Sequence, residues 1–186
     1  MKLSEAVVIA AMLAMAANAS AREPNLLRNG GFERAATSGQ PITEWQALGG
    51  WPGVVLPSSE SAEGNGCALF DAPPEKFTCA RAWLAMSFPV KPGRTYAFSG
   101  LARLETLEVQ DAHLGFYVTV SQGHYGKELM SQFLSGRKGW TRIERTFRVP
   151  EDYPDQYACL QTGLLYLSGR VWIDDFSMVE ITGGAE

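Results

Sequence analysis

The sequence predicts an all-β fold, either a β-sandwich or a barrel. Short segments in which apolar and polar residues alternate recur along the chain, and turns rich in glycine and proline separate them. No segment has the apolar spacing of a long amphipathic helix. Hydrophobic residues make up 46% of the chain and aromatic residues 11%, a composition that excludes intrinsic disorder.

The first 21 residues predict an export signal. Lys2 adds positive charge near the amino terminus, and a run of 12 apolar residues follows from Ala6 to Ala17. This run is too short to span a bilayer but suits a signal peptide, and Ala19-Ser20-Ala21 fits a cleavage site. We therefore expect residues 1–21 to be removed and residues 22–186 to form one domain. That domain is expected to be periplasmic or secreted, with no membrane span.

Nine segments of the remaining chain have strand-like patterns. The turn Lys91-Pro92-Gly93-Arg94 shows how they are separated, because proline presets φ and glycine supplies a positive φ. The residues from Leu104 to His113 are predicted to form a connecting loop. The predicted strands are, in order, Leu26–Phe32, Cys67–Phe70, Ala80–Val90, Thr95–Leu104, Leu114–Ser121, Leu129–Leu134, Trp140–Val149, Gln156–Leu167 and Val171–Ile181.

Alternation along four of these segments separates a core-facing set of side chains from an outward-facing set. The core-facing sets are Leu84, Met86, Phe88 and Val90; Tyr96, Phe98, Gly100 and Ala102; Leu114, Phe116, Val118 and Val120; and Leu160, Leu164 and Tyr166. The outward-facing positions include Trp83, Arg103, Tyr117 and Gln161. Aromatic faces stack on the C–H patches of sugar rings, and Arg and Gln side chains bond sugar hydroxyls, so this mixture suits a glycan groove. An ordinary solvent-exposed sheet face is the alternative.

Charge and cysteine content narrow the classes of partner and cofactor. The net charge is -4 and the chain has no basic run, which argues against nucleic acid as a partner. The chain has three cysteines, and an export compartment permits one disulfide. All three pairings are possible; Cys67 with Cys79 is favoured because the two lie close in sequence, on adjacent predicted strands.

Four motifs, in this order, connect the chain to a known family. They are Asn25-Leu26-Leu27-Arg28-Asn29-Gly30-Gly31-Phe32-Glu33, Val90-Lys91-Pro92-Gly93-Arg94-Thr95-Tyr96-Ala97-Phe98-Ser99, Gly139-Trp140-Thr141-Arg142-Ile143 and Val171-Trp172-Ile173-Asp174-Asp175-Phe176-Ser177. Together they resemble the carbohydrate-binding modules of families 4, 9 and 22, which are jelly-roll β-sandwiches of the galactose-binding-like superfold. The resemblance implies non-catalytic binding of a polysaccharide in a concave, aromatic-lined groove on one sheet. Such modules are usually appended to a glycoside hydrolase, whereas here we expect a free-standing exported binder.

The resemblance also nominates residues for the groove. Arg103 matches a family arginine that faces the groove, and Gln161 matches a polar amide on the penultimate strand. Trp45 and Trp51 match aromatics that line the groove after the first strand, although Trp45 is equally suited to close the core. We expect Trp83 and Tyr117 to stack on sugar rings while Arg103 and Gln161 orient hydroxyls, all in one groove. The two tryptophans inside fold motifs, Trp140 and Trp172, are predicted to be structural.

A structural calcium ion is a further implication of the resemblance. Its family ligands match Glu33 and Asp174, whose carboxylates suit a hard cation. Asp174 and Asp175 point to opposite faces of an undistorted strand, so both cannot reach one ion. The alternative is that Glu33 and Asp174 bond only loop amides.

Two further function classes are weighed against glycan binding. A glycoside hydrolase needs two carboxylates across a groove, and Glu105, Glu108, Asp111 and Glu128 show no such pattern. His124 and Tyr125 are the residue types of a polysaccharide lyase, but they lie in a plain loop motif. A protein-interaction or assembly module at the cell envelope is the main alternative to a carbohydrate-binding protein.

Overall fold

The computed structural model describes residues 24–37, 40–49, 55–72, 81–108, 115–123, 126–165 and 168–181. Within these residues the chain forms twelve β-strands and no helix. The strands are β1 Ala35–Thr37, β2 Gln40–Ile42, β3 Gln46–Gly49, β4 Val55–Ser58, β5 Cys67–Ala72, β6 Arg81–Pro89, β7 Thr95–Glu108, β8 Gly115–Ser121, β9 Glu128–Leu134, β10 Lys138–Arg148, β11 Tyr157–Leu165 and β12 Ser168–Glu180.

Two five-stranded sheets form a β-sandwich of the jelly-roll type. One sheet has the strand order β10-β7-β12-β5-β4, and the other has the order β3-β6-β11-β8-β9. Strands β1 and β2 pair separately as a short hairpin. All of these pairings are antiparallel. The predicted all-β class is confirmed, and of the two architectures left open by the strand pattern the chain adopts the sandwich.

The hydrophobic core lies between the two sheets. Each large aromatic side chain buried there contributes on the order of 2 kcal/mol through the water-exposed surface that it removes. The aromatic residues of this core that are almost fully buried are Trp45, Phe32, Phe70, Phe88, Tyr96, Phe98, Phe116 and Phe176. Trp172 is equally buried, at 2% exposed, but it lies outside the core cluster.

The residues predicted to face the core are buried wherever the structure describes them, whereas Gln161, predicted to face outward, is only 8% exposed. The residues predicted to face the core are buried, from Leu84, Met86 and Phe88 on β6 to Leu160 and Leu164 on β11. The predicted core-facing residues Leu114 and Tyr166 lie outside the described residues. Period-two patterning therefore assigns the inner and outer faces of these strands correctly.

The segment Leu26–Phe32 is not a strand, contrary to the sequence prediction. Asn29 and Phe32 have φ values of 50° and 53°, which turn the chain instead of extending it. The segment is nevertheless fixed to β12, because the Leu26 amide donates to the Met178 carbonyl and the Phe176 amide donates to the Gly30 carbonyl. It closes one end of the sandwich.

Other boundaries also differ from the prediction. Strand β7 continues to Glu108, although Leu104 was expected to begin a loop. Strands β1 to β4 were not predicted, since each has only three or four residues and is too short to show a clear alternation. No helix in the described ranges has the length and apolar character needed to cross a membrane. The predicted signal peptide, residues 1–21, lies outside the described residues.

A bulge interrupts β12, which is the central strand of its sheet. The register between β12 and β7 shifts between Asp174 and Ser177, and Asp175 has a φ of 48°. Because of the extra residue, Asp174 and Phe176 point to opposite sides of the sheet, with Phe176 buried in the core over Gly100. A side chain at Gly100 would collide with the Phe176 ring, which explains the glycine in the middle of β7.

Candidate functional site

One row of paired residues crosses the sheet β3-β6-β11-β8-β9 on its outer side. Leu48 pairs with Trp83, Trp83 with Gly163, Gly163 with Tyr117, and Tyr117 with Phe133. Directly paired residues of antiparallel strands project to the same side of a sheet. We call the outer surface around these five residues the Trp83 face.

The aromatic residues of this row flank a glycine. Neighbouring strands lie about 4.8 Å apart, so Trp83 and Tyr117 are about 10 Å apart across Gly163. Tyr117 and Phe133 lie next to each other, with ring centroids 6.3 Å apart and planes inclined at 35°. Phe133 is 42% exposed and Trp83 is partly exposed. The row therefore presents aromatic surface on both sides of a low point.

Gly163 cannot carry a side chain in this position. A Cβ there would collide with the Ala82 carbonyl oxygen and come within 2.7 Å of the Trp83 Cα. The position between Trp83 and Tyr117 therefore carries no side chain, and Gly163 itself is buried. A glycine inside a strand commonly marks such a close approach of neighbouring groups.

The next row along the same face is polar. It consists of Gln46, Ala85, Gln161, Thr119 and Ser131. Gln161 is only 8% exposed, and its Nε2 donates to the Cys159 Sγ at 4.0 Å. Burial raises the pKa of the Cys159 thiol, so this thiol stays protonated and uncharged near neutral pH. Gln161 thus lies on the predicted face, where most of its amide is covered.

Trp83 has one polar atom without a partner. Its indole Nε1 is buried and makes no hydrogen bond in the described structure. An unsatisfied buried donor costs free energy, and in native structures such groups are few.

Arg103 does not join Trp83 and Tyr117, which corrects the predicted groove. It lies on β7, in the sheet β10-β7-β12-β5-β4, and projects from the opposite side of the sandwich. Its guanidinium carbon lies 3.8 Å from the ring centroid of Trp172 and 5.9 Å from that of Trp140. Its Nη2 atom lies 2.6 Å from Glu60 Oε2. We call this outer surface the Arg103 face.

The two tryptophans nominated after the first strand also do not contribute to the Trp83 face. Trp45 is 1% exposed and packs against Phe32 and Phe176, with centroid distances of 5.2 and 6.1 Å. Its Nε1 donates to the Asn29 carbonyl, so the side chain closes the core and has no free face for a sugar. Trp51 lies outside the described residues.

The two predicted calcium ligands meet at one loop, on the Arg103 side of the molecule. Asp174 Oδ2 accepts hydrogen bonds from the amides of Ala62 and Glu63, at 2.8 and 3.0 Å. Both carboxylate oxygens of Glu33 lie 3.0 Å from the amide of Asn65. Burial raises the pKa of the Asp174 carboxyl, although these amide hydrogen bonds oppose the shift. The carboxylates therefore fix the loop formed by residues 59–66.

This donor set fits a hard cation in part. In the described residues no group of three or more acidic, histidine or cysteine side chains surrounds the position. The further oxygen ligands of a calcium ion held by Glu33 and Asp174 would therefore be backbone carbonyls.

The predicted disulfide and three of the six enzyme candidates lie, in whole or in part, outside the described residues. Among the described residues Cys67 has no disulfide partner; its side chain is buried, and burial raises the pKa of the thiol to about 11. Its predicted partner Cys79 lies outside the described residues, as do Asp111, His124 and Tyr125. Glu105 and Glu128 lie on strands of different sheets and do not face each other across a groove.

Solved structures with this fold include carbohydrate-binding modules. The chain superposes on a family 4 module with a TM-score of 0.59 and 17% identity, which covers 83% of this chain and 99% of that chain. A family 61 module in complex with β-1,4-galactotriose gives a TM-score of 0.58 and 17% identity, covering 85% and 99%. The chain thus has the jelly-roll fold of carbohydrate-binding modules, as the sequence resemblance predicted.

An enzyme shares the same fold. The Stig cyclase Fisc from Fischerella sp. TAU gives a TM-score of 0.61 and 15% identity, covering 87% of this chain and 98% of that chain. No family model matches the sequence, and no curated protein matches it. Because one fold carries both binding modules and catalysts, the function has to be argued from the surface residues.

Three of the five residues of the Trp83 face are not predicted from the sequence: Leu48, which lies on the short strand β3, Phe133 and Gly163. Phe133 lies in the predicted strand Leu129–Leu134, where alternation places its side chain on the opposite face of the strand from the buried Met130. Gly163 lies in the middle of a predicted strand, and a glycine there signals a close approach of other groups. The alternation at Phe133 and the glycine within a strand are both visible in the sequence, but neither shows which strand lies next to it in the sheet.

Proposed function

We propose that this chain is a non-catalytic carbohydrate-binding protein that holds a polysaccharide chain on the Trp83 face. The observation that carries the proposal is the row Trp83–Gly163–Tyr117–Phe133, which places aromatic side chains on both sides of a position without a side chain. Sugar rings need flat apolar contact together with hydrogen-bonding partners, and the adjacent row supplies polar groups. The carbohydrate-binding modules among the structural neighbours support this choice within the fold.

The roles of individual residues follow from their exposure. Trp83, Tyr117 and Phe133 provide the surfaces for stacking, and Gly163 between Trp83 and Tyr117 carries no side chain. Gln161 belongs to the adjacent polar row, where its buried amide bonds Cys159. Arg103 has no role in this site, because it projects from the other sheet.

Assembly with a protein partner at the cell envelope is the second candidate function. It is favoured by two exposed aromatic side chains of the sheet β3-β6-β11-β8-β9: Phe133 is 42% exposed and Tyr157 is 59% exposed. Exposed apolar surface of this kind also suits a protein interface. Glycan binding and assembly with a protein differ in their ligand, so one binding experiment distinguishes them.

The experiment is a screen of the purified protein, residues 22–186, against soluble and insoluble polysaccharides with calcium present, followed by calorimetry on any ligand found. Trp83→Ala and Tyr117→Ala should each weaken binding by about 1 to 3 kcal/mol, the range of an anchor residue. Arg148→Gln, at an exposed arginine of the other sheet that lines neither candidate site, is the control and should bind as the wild type does.

Two results would count against the proposal. Unchanged affinity in both aromatic variants would remove the Trp83 face as the binding site. A complete absence of glycan binding would favour the assembly function, and the appearance of new reducing ends or unsaturated products would make the protein an enzyme.

We propose further that the protein is exported, to the periplasm or beyond, after removal of residues 1–21. The charged start, the short apolar run and the small-residue cleavage site support this localisation. The intact mass of the protein recovered from its native compartment tests it, since a mature chain should begin at Arg22.

Calcium is proposed as a structural ion at Glu33 and Asp174. Both carboxylates are directed at the same loop, residues 59–66, and their oxygen atoms are ligands that calcium prefers. A bound ion would add stability to this loop and to the end of β12 by mass action.

A further inference from the structure

The Arg103 face has a depression of its own, beside the first residues of β10. Its volume is about 270 Å³, and it is lined by Arg103, Leu104, Glu105, Arg137, Lys138 and Gly139. Three of these residues are cationic and one is anionic, so the lining carries a formal charge of +2 in a chain whose net charge is -4. A local positive surface on an acidic protein attracts anions selectively to one place.

Two of the cations are not neutralised by the protein. Arg137 and Lys138 are exposed and form no ion pair with any described residue. By contrast, other arginines of the same sheet have acidic partners, as Arg148 has in Glu151 and Arg170 in Asp71. The guanidinium and ammonium groups at the depression are therefore available to a bound anion.

An aromatic side chain borders the same depression. The register between β10 and β7 shifts between Lys138 and Thr141, so that Gly139 and Trp140 together lie opposite Arg103. A bulge of this kind redirects side chains locally. Trp140 is partly exposed, and its ring centroid lies 5.9 Å from the Arg103 guanidinium carbon. A flat apolar surface thus lies next to the cationic groups.

From this arrangement we propose a second ligand site, which binds an anionic sugar residue, a uronate. The carboxylate of the sugar pairs with Arg137 and Lys138, while the ring lies against Trp140. An inorganic anion would use the charges alone, and a neutral sugar would use the ring contact alone. The site is separate from the Trp83 face, because it lies on the opposite sheet.

Gly139 allows a test that changes charge with little change in shape. A Cβ at Gly139 would meet no atom of the described residues within 4 Å, and the φ of Gly139 is not positive, so a side chain is tolerated there. Gly139→Asp places a negative charge in the depression, and Gly139→Asn places a neutral group of nearly the same size. Comparing the two variants isolates the electrostatic contribution.

The experiment is titration of the full mature protein with trigalacturonate at low ionic strength, followed by NMR of the backbone amides. We expect shifts at residues 103–105 and 137–140, with binding about tenfold weaker in Gly139→Asp and within about twofold of wild type in Gly139→Asn. Arg137→Gln should also weaken binding, and Trp83→Ala should not. Raising the salt to about 1 M, where the Debye length is about 3 Å, should abolish the shifts.

Several outcomes would overturn the proposal. These are no binding of trigalacturonate, equal affinities of the Asp and Asn variants, or amide shifts confined to β6, β8 and β11. Inorganic sulfate binding as tightly as trigalacturonate would show that the sugar ring contributes nothing. Tighter binding of a short RNA at the same residues would make the ligand a nucleic acid instead of a glycan. Glycan binding on the Trp83 face is unaffected by any of these results.

Discussion

The two outer faces of the sandwich each contain a tryptophan that points away from the core, and the two side chains have opposite environments. Trp83 on β6 is partly exposed beside Gly163. Trp172 on β12 is 2% exposed, because the Arg103 guanidinium lies on its ring and the 59–66 loop adds Glu60 to that guanidinium. The same sequence signal thus produces a partly exposed tryptophan on one sheet and a covered tryptophan on the other. Contacts from distant segments decide which of the two forms.

The stability of the two tryptophan variants should show the largest contrast. Trp172→Ala should lower the free energy of unfolding by about 3 to 5 kcal/mol, as expected for a fully buried large side chain. Trp83→Ala should cost roughly half of that, because part of its surface already contacts water. Urea denaturation of both variants measures the difference, with Trp172→Phe as a control that keeps an aromatic ring. Equal losses for Trp83→Ala and Trp172→Ala would mean that the faces are not covered differently.

Calcium removal should affect the Arg103 side alone. If Glu33 and Asp174 hold the ion, a chelator should lower the Tm without unfolding the protein. The free energy of unfolding should fall by about 2.7 kcal/mol if the free calcium concentration before chelation is 100-fold above the Kd. Asp174→Asn should have a lower Tm that no longer responds to the chelator. Glycan binding on the Trp83 face should persist in the chelated protein. Calorimetry with and without chelator measures the shift, and an unchanged wild-type Tm would reject calcium.

The smallest expected effect concerns the ion pair above Trp172. Glu60 and Arg103 have side chains that are 57% and 29% exposed, so solvent screens their attraction. Glu60→Gln should therefore cost less than about 1 kcal/mol, and the cost should shrink further in high salt. Glu63→Gln, in the same loop but with no ion pair to any described residue, is the control. Urea denaturation measures the free energy of unfolding of each variant. If Glu60→Gln lowers it by several times the expected amount, the contact of the loop with Arg103 stabilises the covered Trp172 far more than an exposed ion pair would.

The sequence predicted the inner and outer sides of most long strands but not the sheet to which each strand belongs. Trp83 and Arg103 were both predicted correctly to face outward. However, β6 and β7 are consecutive strands of different sheets, and their outward directions are opposite. Alternation has a period of two along one strand and carries no information about neighbours in the sheet.

Trp45 and the calcium residues show a second limit of sequence reasoning. Trp45 lies just before the short strand β3, where no periodic pattern exists, and its burial depends on Phe32, Phe176 and the Asn29 carbonyl. Glu33 and Asp174 were predicted as one site from their motifs. Their shared contact with residues 62–65 arises from hydrogen bonds that span 111 and 112 residues for Asp174 and 32 residues for Glu33. Such distant pairings depend on the assembled fold.

The central position of β12 has a consequence for how the chain acquires its structure. This last strand lies between β7 and β5, and Asn25 hydrogen-bonds residues of β12 that are 151 and 153 positions away. A nascent chain lacking residues 168–180 would leave β5 and β7 with unpaired edges and the core open. Pairing between segments so distant is slow, since a long loop must close before contacts compensate its entropy. The polypeptide should therefore remain largely unstructured until its synthesis is almost complete, the form in which a chain can still pass through a narrow channel.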